Sequence, residues 1–264
     1  MRPWTIAAAV VSLVLGIPLS VLGGGAGSLA SVFQLVTMTR EGKGVARGTA
    51  FFIDPSGLAL TNSHVVSRVQ RDPDHYVLFA FVGKEFYGAE IVCATPLSVD
   101  PLEVPTGPVA RDIAEVRLTA PGPAFRWWRI VEPGDAPQVI ATPHLGDLPR
   151  FPALALGDGP QEHGQIRVVG YGKSTEATEQ TVAAGTVTRT ANAQDGTPVF
   201  EIESPARPER GSSGSPVLDD QDRVVGMYTW NEIASDTVGI AISSQALATG
   251  CPQRGQPVSV SPGR

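Results

Sequence analysis

Charge is scarce in this chain: Asp, Glu, Lys and Arg together make up 17% of the 264 residues, and the formal net charge is −6. No block of Lys or Arg occurs, which excludes the basic footprint of a nucleic-acid-binding protein. Cysteine is nearly absent, with only Cys93 and Cys251. Two cysteines without a neighbouring histidine do not make a closed zinc site; they permit one disulfide in an oxidising compartment, or two buried thiols. Also missing are any long apolar pattern of helical period, any long-period internal repeat and any heptads. Helical proteins, solenoids and coiled coils therefore drop out.

What is abundant is turn chemistry, with 29 Gly and 23 Pro. They punctuate short runs rich in β-branched and aromatic residues, the pattern of an all-β chain. VFQLVTM and TAFFID, joined by the polar REGKGVARG, predict a hairpin. DPSG is a turn whose backbone is set by Pro55 and Gly57. LALTNSHVV returns to strand and then tightens, and YVLFAFVG, KEFYGAEIVCA and IAEVRL supply further strands. The segment 119–137, dense in Pro and Gly, reads as a crossover between halves. Beyond it QIRVVGYG, GTVTRT, PVFEIES, SPVL, RVVGMYTW and TVGIAIS repeat the rhythm. Short strands at this spacing make sandwiches or barrels, as one large β domain or two small ones. Only SSQALATG reads as helix, with serine at its start and Gly250 at its stop.

The first thirty residues differ. Arg2 is their only charged residue, and an apolar run from Trp4 to Leu22 leads into GGGAGSLA. That is the make-up of a secretory signal, with Ser28-Leu29-Ala30 as the cleavage triplet, so a secreted or periplasmic location is expected. Left uncleaved, the run would instead anchor the chain in a membrane.

Cleavage of a peptide or ester through serine needs a base within hydrogen-bond reach, an acid to orient that base, and donors for the oxyanion. Of the four histidines, His64 is delivered by GTAFFIDPSGLALTNSHVV from a buried strand into a turn, whereas His75, His144 and His163 read as solvated loop residues. Asp112, at the start of IAEVRL, is the candidate acid, with Asp100 as its rival. In GSSGSP, Ser213 lies between Gly211 and Gly214, and Pro216 rigidifies the exit. A linker would continue polar, but this stretch runs directly into PVL and then RVVGMYTW, which marks a built turn.

TNSHVV, DIA and GSSGSP, in that order, resemble the three signatures of chymotrypsin-fold (trypsin-like) serine proteases. The likeness, over roughly 45–245, is to the bacterial branch that includes glutamyl endopeptidases and the Deg/Htr proteases. It implies two six-stranded antiparallel β-barrels with a short C-terminal helix and the active site between them. It implies His64 as general base, Asp112 as orienting acid and Ser213 as nucleophile, with the N–H groups of Gly211 and Ser213 as the oxyanion hole. Thr229, Trp230 and Asn231 would border the substrate. Gly239 would leave the specificity pocket open, and Arg207 would lie near its base, where it either selects acidic side chains or is a solvated turn residue.

Two departures from the family pattern stand out. Ser212 occupies the position of the aspartate that pairs with a newly cut N-terminus in zymogens, so no such activation is expected. Glu115 sits where relatives carry an apolar residue. The expected organisation is a leader at 1–30, barrel halves at 31–125 and 126–250, and a disordered tail at 251–264, with no PDZ-like segment after residue 250. No metal or organic cofactor is implied, and the expected partner is a protein or peptide substrate of a monomer. The rival readings are a catalytically silent protease-like binding module and an exported β-domain in which GSSGSP is only a loop.

Overall fold

The computed structural model describes residues 26–96, 111–121, 142–172, 179–205, 208, 211–231, 235 and 237–251. Most of the apolar leader, Asp100, Arg207, most of the 119–137 crossover and the tail beyond Cys251 lie outside the described residues. Among the described residues no helix is long and apolar enough to cross a membrane.

The chain is mostly strand. The predicted hairpin is β1 (Val32–Thr39) against β2 (Gly44–Asp54), antiparallel, with Val32 opposite Phe51. The turn at Gly57 then leads to β3 (Leu58–Thr61), and β4 (Tyr76–Val82), β5 (Glu85–Ala94) and β6 (Ala114–Thr119) follow. The order β4-β1-β2-β3-β6-β5, with β4 paired to β5, closes a six-stranded antiparallel barrel. A two-residue strand, β7 (Thr142–Pro143), lies parallel to β5 on its outside. The second closed barrel has the order β10-β13-β12-β11-β8-β9. Its strands are β8 (Gln165–Gly170), β9 (Thr181–Asn192), β10 (Pro198–Glu203), β11 (Pro216–Leu218), β12 (Val224–Asn231) and β13 (Val238–Ser243). Among the described residues the expected strand runs of the two halves form these strands, and closure leaves no main-barrel edge unpaired.

Alternation sorts the side chains. Phe33, Leu35, Phe52, Ala59, Val116 and Leu118 fill the first barrel, and Ile166, Val168, Phe200, Ile202 and Val217 fill the second. A third cluster joins the two, with Val32, Phe51, Leu60 and Ile113 from the first barrel against Leu218, Met227, Ile240 and Ile242 from the second. This shared apolar seam fixes the barrels against one another.

Among the described residues there are three short helices rather than one. The expected C-terminal helix is α3 (Ser244–Ala248), capped by the Ser243 hydroxyl, which accepts from the Gln245 N–H. A five-residue helix, α1 (Ala26–Ala30), precedes β1 inside the stretch read as a leader exit; the Leu29 carbonyl there accepts from Gln180 Nε2 at 2.9 Å. The third, α2 (Ser63–Arg71), stands where LALTNSHVV was expected to tighten from strand into a turn. The β-branched pair Val65-Val66 reads as strand locally, but with Val69 it forms one helical face that seals the end of the first barrel. Tertiary burial overrides the local preference.

Cys93 of β5 and Cys251 after α3 form a disulfide across a sequence separation of 158, with Cα atoms 6.0 Å apart. The disulfide joins the first barrel to the end of the second.

Candidate active site

The site lies at the seam. Asn62 is the residue before α2, in extended conformation, yet its side chain does not cap the helix. Instead its Nδ2 donates to the Asp112 carbonyl at 2.8 Å and to Thr229 Oγ1 at 3.2 Å. Two residues on, His64 is held in the first turn of α2. Its backbone N–H donates to Asp112 Oδ1 at 3.0 Å, and its Nδ1 lies 2.6 Å from Asp112 Oδ2. The Asp112 carboxylate thus grips both ends of the residue and fixes the ring. Asp112 is 2% exposed, while the His64 side chain keeps about a third of its surface open, at 32%. Burial works against protonation of the imidazole, but the charge and the hydrogen bond of Asp112 together outweigh it and hold the His64 pKa above its ordinary value.

Asp112 is itself anchored from both sides. Ser63 Oγ donates to the Ile113 carbonyl at 2.8 Å. The Arg111 guanidinium donates to the carbonyls of Ala246 and Gly250 and to Thr249 Oγ1, and its backbone N–H donates to Asp195 Oδ2. The segment carrying the acid is therefore tied to α3 of the opposite barrel.

Ser213 comes from the turn between β10 and β11. Gly211 and Gly214 have φ of +102° and +87°. A Cβ on Gly214 would sit 2.0 Å from the Thr49 carbonyl oxygen, so the turn lies directly against β2 and only glycine fits there. Thr49 braces the turn: its N–H donates to the Ser213 carbonyl at 2.8 Å and its Oγ1 to the Gly211 carbonyl at 2.9 Å. The same Oγ1 accepts from the Tyr171 N–H at 3.0 Å. From the other side, the Gly214 N–H donates to the Tyr228 carbonyl and the Tyr228 N–H to the Ser215 carbonyl. Among the described residues, neither the Gly211 nor the Ser213 N–H is engaged in a hydrogen bond.

A β-bulge closes the set. Tyr228 faces Ala241 and Trp230 faces Ile240, which leaves Thr229 as the extra residue of β12. Its carbonyl, turned out of the ladder, accepts from Ser213 Oγ at 3.2 Å. Ser213, Thr229, Asn62, Asp112 and His64 are thus one continuous hydrogen-bonded set spanning both barrels. Sequence reasoning missed Asn62 and Thr49, whose partners lie 50 to 167 residues away along the chain.

The remaining expectations divide. Trp230 and Asn231 are half-buried at the end of β12, and Thr229 is buried. Gly239 does not leave open space, because a Cβ there would lie 2.4 Å from the Tyr228 ring. His75 is exposed and paired with Asp72, as a loop histidine should be. His144 is only partly solvated: it stacks on Tyr87 with centroids 4.8 Å apart, meets Glu85 Oε2 at 3.2 Å and is 17% exposed. Glu115 is buried across from Cys93 in the β5–β6 ladder. Among the described residues Cys93, Glu115 and Cys251 form a group of potential metal ligands, but the two sulfurs are bonded to each other and offer no thiolate.

Two closed barrels meeting at a seam, with a buried Asp–His pair on one side and a serine on a glycine-built turn on the other, define the class of two-barrel serine hydrolases. Residues 48–227 match the model of the trypsin-like peptidase domain, and the chain belongs to that family of serine proteases. Its fold is similar to the active form of the Rv3671c protease from M. tuberculosis, with 20% identity, 88% of this chain and 85% of that chain covered, and a TM-score of 0.57. It is also similar to Deg5, with 16% identity, coverage of 83% and 86%, and a TM-score of 0.55. No curated protein matches the chain by sequence.

Proposed function

We propose that the chain is an exported serine endopeptidase that works through His64, Asp112 and Ser213 and an acyl-enzyme intermediate. The observation that carries this reading is the 2.6 Å contact between His64 Nδ1 and the buried Asp112 carboxylate, on an imidazole that keeps about a third of its surface exposed. That contact commits the Nδ1 hydrogen to Asp112 and leaves Nε2 as the base.

In the reaction the Ser213 hydroxyl turns from the Thr229 carbonyl to His64 Nε2. Its oxygen attacks the substrate carbonyl as its proton passes to the imidazole. The N–H groups of Gly211 and Ser213 receive the developing oxyanion. Collapse of the tetrahedral adduct breaks the C–N bond, and His64 gives its proton to the leaving amine. Water then attacks the ester, with His64 again as base, and Ser213 leaves with its proton restored. Ser212 offers no carboxylate to a newly formed N-terminus, so this site needs no such pairing to assemble.

The test is labelling of the exported protein with an organophosphonate probe. The wild type is expected to label and Ser213→Ala to lose labelling with its circular dichroism unchanged. Labelling that persists in Ser213→Ala overturns the nucleophile assignment, and a correctly folded wild type that does not label is the silent binding module instead.

A further inference from the structure

The reaction above needs Asp112, His64 and Ser213 in a fixed relation, although the acid and the serine belong to different barrels. Asn62 lies where the two are tied together. It is fully buried and stands immediately before α2, with the extended backbone of a helix cap. A side chain at such a position ordinarily accepts from the first helical N–H groups. That of Asn62 does not. Both of its contacts are made by Nδ2, to the Asp112 carbonyl at 2.8 Å and to Thr229 Oγ1 at 3.2 Å. The partners themselves require nitrogen there: a carbonyl only accepts, and the Thr229 hydroxyl already donates to the Met227 carbonyl at 3.2 Å. The amide oxygen is left buried and, among the described residues, without a hydrogen-bond partner.

Asn62 therefore forgoes a helix cap and isolates a buried acceptor, two losses of stability at one residue. What its amide holds instead is the backbone of the acid and the bulge whose carbonyl accepts from Ser213 Oγ. Its own carbonyl accepts from the Val65 N–H in the first turn of α2, the turn that carries His64. Residues 62 and 64 thus grip Asp112 together, one at its carbonyl and the other at both carboxylate oxygens. Ser63 and Arg111 also anchor the segment around Asp112, but they bond Thr95, Ile113 and the end of α3 rather than β12. Among the described residues, the Asn62 side chain alone hydrogen-bonds both Asp112 and Thr229.

We propose that Asn62 is a positioning residue of this protease, whose amide holds the Asp112–His64 pair in register with Ser213 across the seam between the barrels. Being fully buried, it meets neither the substrate nor the reacting atoms, so its removal acts on the chemical step and leaves substrate binding alone. A misplacement of about 1 Å costs ~10² in rate, and a slackened Asp112 is expected to cost about 10- to 10²-fold in kcat. It also raises the His64 pKa less, because the charge and hydrogen bond of that carboxylate are what raise it. The inference rests on the serine-protease reading, and the experiment separates the two.

Full-length Asn62→Leu is compared with the wild type on a peptide that the wild type cleaves, each preparation being titrated for competent sites with a fluorophosphonate. Leucine keeps the branched shape of asparagine and deletes both N–H contacts together with the isolated oxygen. Asn62→Ser is the second variant, because serine supplies the missing helix cap. In each, kcat per competent site is expected to fall about 10- to 10²-fold with KM nearly unchanged, and the acid limb of kcat/KM to move to lower pH. A purely structural role would reduce the number of competent sites and leave kcat per site and the acid limb where they were. Wild-type kcat with an unmoved acid limb in either competent variant overturns the proposal. So does failure of both variants to fold, which would make Asn62 a structural residue. A wild type that does not react with the fluorophosphonate fails the serine-protease reading itself, and the positioning role falls with it.

Discussion

Replacing Thr49 by valine would test whether the first barrel shapes the serine turn or merely touches it. Valine matches threonine in shape, so no cavity opens at this fully buried position. What disappears is one oxygen with two partners: the Gly211 carbonyl, to which it donates at 2.9 Å, and the Tyr171 N–H, from which it accepts at 3.0 Å. A buried polar group stripped of its partner costs about 1–3 kcal/mol. Gly211 and Tyr171 are half-buried, so water reaches them in part and the low end applies to each, giving roughly 2–3 kcal/mol for the pair. For a chain of this size each kcal/mol lowers Tm by about 2–4 °C, so a fall of about 4–12 °C is expected.

The catalytic consequence is separable from that loss. The Gly211 carbonyl fixes the backbone plane at a residue with φ of +102°, and the same residue presents one of the two N–H groups proposed for the oxyanion. Loss of one oxyanion donor costs ~10²–10³ in kcat. A turn that is loosened rather than lost should land below that, at about 10- to 10²-fold, with KM nearly unchanged because the donor acts on the transition state. The assay is kcat and KM on a peptide substrate that the wild type cleaves, at a temperature where both proteins are folded, with Thr49→Ser, which keeps the hydroxyl, as control. A Thr49→Val enzyme with wild-type kcat and a lowered Tm would show that the brace stabilises the fold without aligning the site, and the reasoning would fail.

Asp112→Asn should lower kcat/KM by about 10⁴ with the fold retained, because an amide facing Nδ1 forces the proton onto Nε2 and removes the base. Since Asp112 raises the His64 pKa, wild-type kcat/KM should rise with pH through a value above that of ordinary histidine, and the acid limb should move down in the variant; a limb that stays in place excludes the pairing. The sign for stability is the reverse: the pair stabilises the fold below the ordinary histidine pKa, and that contribution fades as pH rises through the raised value. Reduction of Cys93–Cys251 releases a loop of sequence separation 158, for which chain entropy gives at most about 5 kcal/mol of lost stability; an unchanged Tm in reductant would mean that the seam and Arg111 hold the C-terminal end alone.

The parts of this molecule legible in the sequence are those specified locally. The β1–β2 hairpin, the turn at Gly57 and the serine turn between Gly211 and Gly214 each carry their own signal in residue type, and the order of the three signatures implied the double barrel. Helix α2 was hidden because Val65-Val66 favours strand over any window of a few residues, and only the open end of a barrel makes the helical face worth burying. Nothing in the local sequence around Asn62 or Thr49 marks either residue. Their importance resides in Asp112, Thr229 and Gly211, which the sequence keeps far away.

Gly239 shows the limit most sharply. A glycine in a strand announces that a side chain is absent, and next to a proposed substrate cleft the simple deduction is an open pocket. The deduction fails because strand alternation places the Tyr228 side chain on the same face of the sheet, one pair diagonally removed, and the bulge at Thr229 brings it closer. The ring needs the bare Cα of Gly239, and its hydroxyl needs Asn231. A change at any one of these three positions therefore acts through the other two: a methyl group at Gly239 would collide with the Tyr228 ring and displace it. Gly239→Ala should accordingly not resemble a pocket narrowed by a single methyl group. It should perturb the Tyr228–Asn231 contact first, and be read as a loss of Tm.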